Sequence, residues 1–207
     1  MKKNIRTLVL LGVLTAIELI LLLTPIGSIP VGPLVISLGM IPVAIAAIAL
    51  GPVGGAAIGA VFGIMSFLQC VGIGVPSPMG AILFEINPFL AFVQRFVPRV
   101  LDGVLVGLIY QFVARLTKPE VAFPVAGFSA AFLNTLLFMS SLVLLFGNTE
   151  YMQGLMDGKG VLMFIVTFVG FNAVCEMIVA PVVAGAVGMA LYKAKLIRVP
   201  GKTTAHI

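Results

Sequence analysis

Arg95, Arg99 and Asp102 stand four and then three residues apart in an otherwise apolar stretch, which places all three on one face of a helix. Arg99 is expected to pair with Asp102, leaving Arg95 without a local partner. A guanidinium is a planar fork of donors matched to a carboxylate, so Arg95 is suited to a carboxylate on a bound solute. Asn172 and Glu176 share a second helical face, while Glu18, Gln69 and Asn134 stand singly in other apolar runs. Each is costly to hold away from water and needs a partner or a task. For Asn134, Asn172 and Glu176 the choice lies between hydrogen bonding across helices and lining a pocket. Glu18 pairs with Arg95, with Arg99 or with another helix. Glu85 and Asn87 precede the arginine-bearing helix and either close over a ligand or face water. The candidate substrate-binding residues are therefore Gln69, Glu85, Asn87, Arg95, Asn134, Asn172 and Glu176.

Other chemistries lack their residues. The sequence has no G-x-x-x-x-G-K-[ST] loop, so the chain does not bind ATP in that manner. It has no His-Glu-x-x-His motif, no Cys/His cluster and no Ser/His/acid arrangement, and His206 is expected to be solvated in the tail. Cys70 and Cys175 are too few for a disulfide framework or a thiolate metal site. No catalytic residue, no metal and no cofactor of its own are expected, and the chain is read as a non-enzyme.

The elements that must position these side chains are membrane spans. Of 207 residues, 61% are hydrophobic and 9% charged, with a mean hydropathy of +1.24, whereas a soluble domain is roughly 25% charged. About 20 apolar residues cross a bilayer as a helix. Helices are expected over residues 6–23, 34–50, 53–68, 89–116, 121–146 and 161–192, in one transmembrane domain covering 1–207. The fold class is thus an all-α integral membrane protein of six transmembrane helices. Lys2, Lys3 and Arg6 before an apolar run would also suit a signal peptide, but the run is long, carries Glu18 and has no Ala-x-Ala site, so it is read as a retained span. The second and third helices, joined at Gly51-Pro52, should form an antiparallel hairpin, and residues 69–88, rich in Gly and Pro, should be a loop with room for a short helical turn near Ile82.

Positive charge gives the orientation. Lys2, Lys3, Arg6, Arg115, Lys118, Lys193, Lys195, Arg198 and Lys202 fall on one side of this layout, and Lys159 alone on the other. Because cytoplasmic segments hold the excess of Lys and Arg, both termini are expected in the cytoplasm of a multi-pass cell-membrane protein. The formal charge of +5 is explained by this placement and not by nucleic-acid binding. Small residues recur four apart at Gly51, Gly55, Gly59 and Gly63, as an internal helix contact requires, and at Gly12 and Ala16, which suit either internal packing or docking on a partner helix.

Taken together, several stretches resemble the substrate-binding S components of energy-coupling factor (ECF) vitamin transporters. They are the basic first helix with Gly12 and Ala16, similar to that family's A-x-x-x-A docking motif; the loop from Thr24-Pro25 to Gly32-Pro33; Ile41-Pro42-Val43; the stretch from Leu50-Gly51-Pro52 to Phe62-Gly63-Ile64-Met65; and Phe96-Val97-Pro98-Arg99. Gly12 departs from the motif's alanine, but glycine is smaller still. The resemblance implies a subunit that captures a vitamin in an outward-opening pocket roofed by the first and fifth loops and lined by helices four to six. It implies docking through Gly12 and Ala16 on a transmembrane coupling protein served by two cytoplasmic ATPases, which use the ATP, and toppling in the membrane to release the vitamin. The likeness is greatest to the pantothenate-type branch; riboflavin and pyridoxine are alternatives. A different reading is a stand-alone channel or ion-coupled carrier using Glu18, Asp102 and Glu176 as a relay.

Overall fold

The computed structural model describes residues 2–25, 27–31, 34–156, 161–197 and 199–200. Lys159, Arg198, Lys202 and His206, used above for the charge count and the tail, lie outside the described residues.

Helix α1, Lys2–Leu23, buries a row spaced by four, Leu14, Glu18 and Leu22, while Leu8, Val9, Val13, Ile17 and Ile20 remain exposed. After Thr24-Pro25 the chain forms an antiparallel hairpin, β1 Ser28–Val31 and β2 Leu34–Ser37, with Ser28 opposite Ser37. Residues 34–37, expected to open the second helix, are therefore strand, and helix α2, Met40–Leu68, starts later. Leu-Val-Ile is a short apolar run without periodicity, which hydropathy alone cannot assign to helix or strand; its β-branched members favour the strand.

Within α2, Gly51 adopts φ 75° and ψ −165°, a left-handed conformation open to glycine, and Pro52 follows. The chain folds back there. A methyl group added at Gly54 would lie 3.0 Å from the Ala46 carbonyl oxygen, and one at Gly55 would lie 3.1 Å from the Ala47 Cβ, contacts that a straight helix forbids. Limbs 40–50 and 52–68 are thus the expected hairpin.

The second limb packs on α4, Pro88–Leu116, through the glycine row. A methyl at Gly55 would strike the Gly103 carbonyl, at Gly59 the Arg99 carbonyl, and at Gly63 the backbone of Phe96; Gly107 of α4 meets Pro52 in the same way. Backbones this close leave no room for side chains. Gly55→Leu is accordingly expected to destabilise the folded protein by about 3 kcal/mol, measured as reduced resistance to unfolding in detergent.

The 69–88 segment is more ordered than a loop. It contains a 3-10 turn, Gln69–Val71, and helix α3, Pro78–Ile86, whose N-terminus is capped by Ser77 Oγ accepting from Gly80 N–H at 3.2 Å. A Ser-Pro start is a capping signal, but Gly72, Gly74, Pro76, Pro78 and Gly80, crowded around it, read first as breakers. Helix α5, Pro119–Phe146, runs back against α4, with Phe123 stacked on Tyr110 at 5.9 Å. A short helix α6, Glu150–Met156, follows α5, and α7, Val161–Lys193, packs on α5. Beyond α7 the chain turns at Lys195 (φ 56°) and buries Ile197 and Val199 beneath the bundle, where Arg6 donates to the Lys195 carbonyl at 3.0 Å.

The long helices expose apolar side chains such as Val53, Leu108, Phe112, Leu144 and Val182. Among the described residues, five helices are long and apolar enough to cross a membrane, with the folded-back α2 counted as one. An all-α bundle with an apolar exterior and buried polar groups is a multi-spanning membrane fold.

Candidate functional site

The polar residues gather in one cavity near the end of the bundle that carries the β-hairpin and α3. Ser37 of β2 forms part of its wall, with Phe62 and Ser66 of α2. Gln69, Ser77 and Met79 come from the segment between α2 and α4, and Arg95 and Arg99 from α4. Asn134, Thr135, Phe138 and Met139 face them from α5, and Asn172 and Glu176 from α7.

Both arginines are nine-tenths or more buried. Arg95 donates from Nη2 to Ser77 Oγ at 3.1 Å, and its guanidinium carbon lies 5.1 Å from the centre of the Phe138 ring. That of Arg99 lies 4.4 Å from the same ring and 5.1 Å from Phe62. Aromatic faces attract cations and hold the two guanidinium groups together on one wall. They do not neutralise them. Arg95 Nε and Arg99 Nε and Nη1 have no hydrogen-bond acceptor, and Asn134 Oδ1 has no donor. Two like charges set side by side with unused donors have the chemistry that an anion would satisfy.

The expected Arg99–Asp102 pairing is not formed. Asp102 is fully buried in α4 with neither carboxylate oxygen hydrogen-bonded, and the Arg99 guanidinium is turned onto the phenyl rings instead. Sharing a helix face permits an ion pair but does not impose one, because the long arginine side chain can reach a neighbouring helix. Glu18 joins neither arginine. Its carboxylate lies against Gly39 and Phe62 where α1 meets α2, and neither oxygen accepts a hydrogen bond.

Among the candidate residues, Gln69, Arg95, Asn134, Asn172 and Glu176 line the cavity. Gln69 also ties α1 to the site, donating from Nε2 to the Leu22 carbonyl at 3.0 Å. Glu85 is exposed on α3, and Asn87 caps α4 by accepting from Leu90 N–H at 3.0 Å; neither is brought to the cavity. Sequence reasoning missed Ser37, Phe62, Ser66, Ser77, Met79, Thr135, Phe138 and Met139, and gave Arg99 a structural partner. The repeat of arginine at four residues was a usable signal for Arg99. The phenylalanines are indistinguishable from lipid-facing ones until the helices are packed.

Two buried guanidinium groups with unused donors, inside a multi-spanning helical bundle, are suited to hold an anionic solute within the membrane. The chain belongs to the substrate-specific components of ECF transporters, whose family model matches residues 6–188. Among curated proteins it is similar to the "Pantothenic acid transporter PanT" of Lactococcus lactis subsp. cremoris (strain MG1363), being 28% identical over 153 residues that cover 68% of this chain and 69% of that protein. Membership makes the chain a membrane-embedded component of vitamin transport and a non-catalytic one.

Proposed function

We propose that this protein is the high-affinity pantothenate-binding subunit of an ECF importer. The observation that carries the reading is the pair of buried guanidinium groups, Arg95 and Arg99, with donors unused on one cavity wall. Pantothenate presents a carboxylate for that wall and hydroxyl and amide groups for the other polar side chains of the cavity, such as Ser66, Asn134 and Asn172. The similarity to a pantothenic acid transporter supports the same ligand. Riboflavin and pyridoxine carry no carboxylate and would leave the arginines unanswered.

The chain makes six passes, the Gly51 reversal separating the second from the third. Limb 40–50 is short, roughly 16 Å at the helical rise per residue, and the β-hairpin completes that pass. Both termini are cytoplasmic, since Arg6, Arg115, Lys118, Lys193 and Lys195 lie at the end of the bundle opposite the cavity. The cavity then opens outward. Transport is powered by a transmembrane coupling protein and two ATPases, with the exposed Gly12 and Ala16 face of α1 as the docking surface.

Calorimetric titration of the purified protein with a panel of water-soluble vitamins, without ATP, tests the substrate. Pantothenate is expected to bind in the nanomolar to micromolar range, about 8–12 kcal/mol, and the uncharged alcohol panthenol far more weakly. Binding of riboflavin or pyridoxine in its place would reassign the site.

A further inference from the structure

Glu176 is the only carboxylate lining the cavity among the described residues, and it stands in a site otherwise built to receive an anion. Its Oε1 accepts from the backbone N–H of Ser37 at 3.1 Å. Ser37 ends strand β2, so this bond ties α7 to the β-hairpin, whose base is closed by Leu38 N–H donating to the Gly27 carbonyl at 2.9 Å. No hydrogen bond to the arginines is formed by Glu176; the rest of its carboxylate is left to the cavity.

A carboxylate offers acceptors only, whereas the guanidinium groups offer donors only. An anion without donors of its own would satisfy Arg95 and Arg99 and confront Glu176 with a second acceptor. We propose that Glu176 is the specificity-determining residue of the cavity. It accepts, through the oxygen not used by Ser37, a hydrogen bond from a hydroxyl of an anionic ligand, and through Oε1 it holds the β1–β2 hairpin against the site. The ligand class is thereby an organic anion bearing a hydrogen-bond donor remote from its carboxylate. This rests on the reading of the cavity as the vitamin site, and it adds the group that inspects the ligand's far end.

Two measurements separate the parts. The first needs no ligand: amide hydrogen exchange of the segment carrying Ser37, followed by mass spectrometry. Glu176→Ala is expected to speed that exchange about tenfold, whereas Glu176→Gln, whose amide oxygen still accepts from Ser37, leaves it within about twofold of the wild type. Equal exchange in wild type and Glu176→Ala would overturn the tether.

The second is calorimetry with pantothenate and with its dideoxy analogue, in which both hydroxyls are replaced by hydrogen. The wild type should bind the analogue roughly 10- to 100-fold more weakly, the range for a lost hydrogen bond to a charged group. In Glu176→Gln the ratio should shrink to within about threefold. An unchanged ratio would overturn the role in selection. If wild type binds neither compound, the pantothenate reading and the selective role both fall, and the exchange experiment still decides the tether.

Discussion

Replacing Arg99 by methionine is expected to weaken pantothenate binding by about 100-fold or more while leaving the ligand-free protein as stable as before, or more so. Removing one partner of a buried charge pair costs about 2–5 kcal/mol in binding. The ligand-free cost should be small for a different reason. The Arg99 guanidinium is buried, lies near Arg95, and keeps Nε and Nη1 without acceptors, so its desolvation is not repaid until an anion arrives. Methionine retains much of the packing against Phe62 and Phe138 and removes the unanswered charge. Arg95→Ala should weaken binding in the same direction. Its stability should fall more, because the bond to Ser77 Oγ that joins α4 to the start of α3 is lost with it. Calorimetry for affinity and thermal unfolding for stability read the two effects apart. Loss of stability in Arg99→Met, with binding lost only in proportion to the unfolded fraction, would make Arg99 structural. Unchanged affinity in Arg95→Ala would remove it from the site.

The second large effect lies on the exposed face of α1. Gly12→Phe or Ala16→Phe should leave pantothenate affinity within about twofold and reduce energised uptake more than tenfold. A side chain at Gly12 meets nothing within 4 Å, and Ala16 is exposed beside Val13, Ile17 and Ile20, so the folded protein accommodates the larger group. A helix that docks there by close backbone approach does not. The measurement is uptake into liposomes holding this protein, the coupling protein and the ATPases, compared with binding by the isolated chain. Normal uptake by either variant would move the docking surface elsewhere. Uptake by the isolated protein, driven by an ion gradient alone, would favour the carrier reading based on Glu18, Asp102 and Glu176. The geometry speaks against that relay. Glu18 lies between α1 and α2, Asp102 is shut inside α4's packing face, and only Glu176 reaches the cavity.

The glycine ladder at Gly51, Gly55, Gly59 and Gly63 illustrates what was legible beforehand. Its spacing foretold an internal contact, because only a close helix crossing requires small residues at every fourth position, and α4 supplies that contact. The Gly51-Pro52 reversal was legible for a similar local reason: a left-handed glycine followed by a proline ends a helix wherever it occurs. Residues 34–37 were misread as helix because hydropathy scores composition and β2 owes its structure to pairing with β1, whereas the short helical turn foreseen near Ile82 extends over 78–86 from its cap at Ser77.

The sequence by itself determined the solvent, the approximate placement of the long helices, the charge asymmetry between their ends and the missing ATP-binding loop, since each is a property of residue types summed along the chain. Only the tertiary structure decided which polar groups meet. It took Arg99 away from Asp102 and set it beside Arg95 on Phe138, left Glu85 and Asn87 outside, and brought Glu176 to a strand more than a hundred residues earlier. A helix fixes which side chains share its face, but the rotation of each helix against its neighbours comes from packing the whole bundle, and that rotation chooses the members of the site.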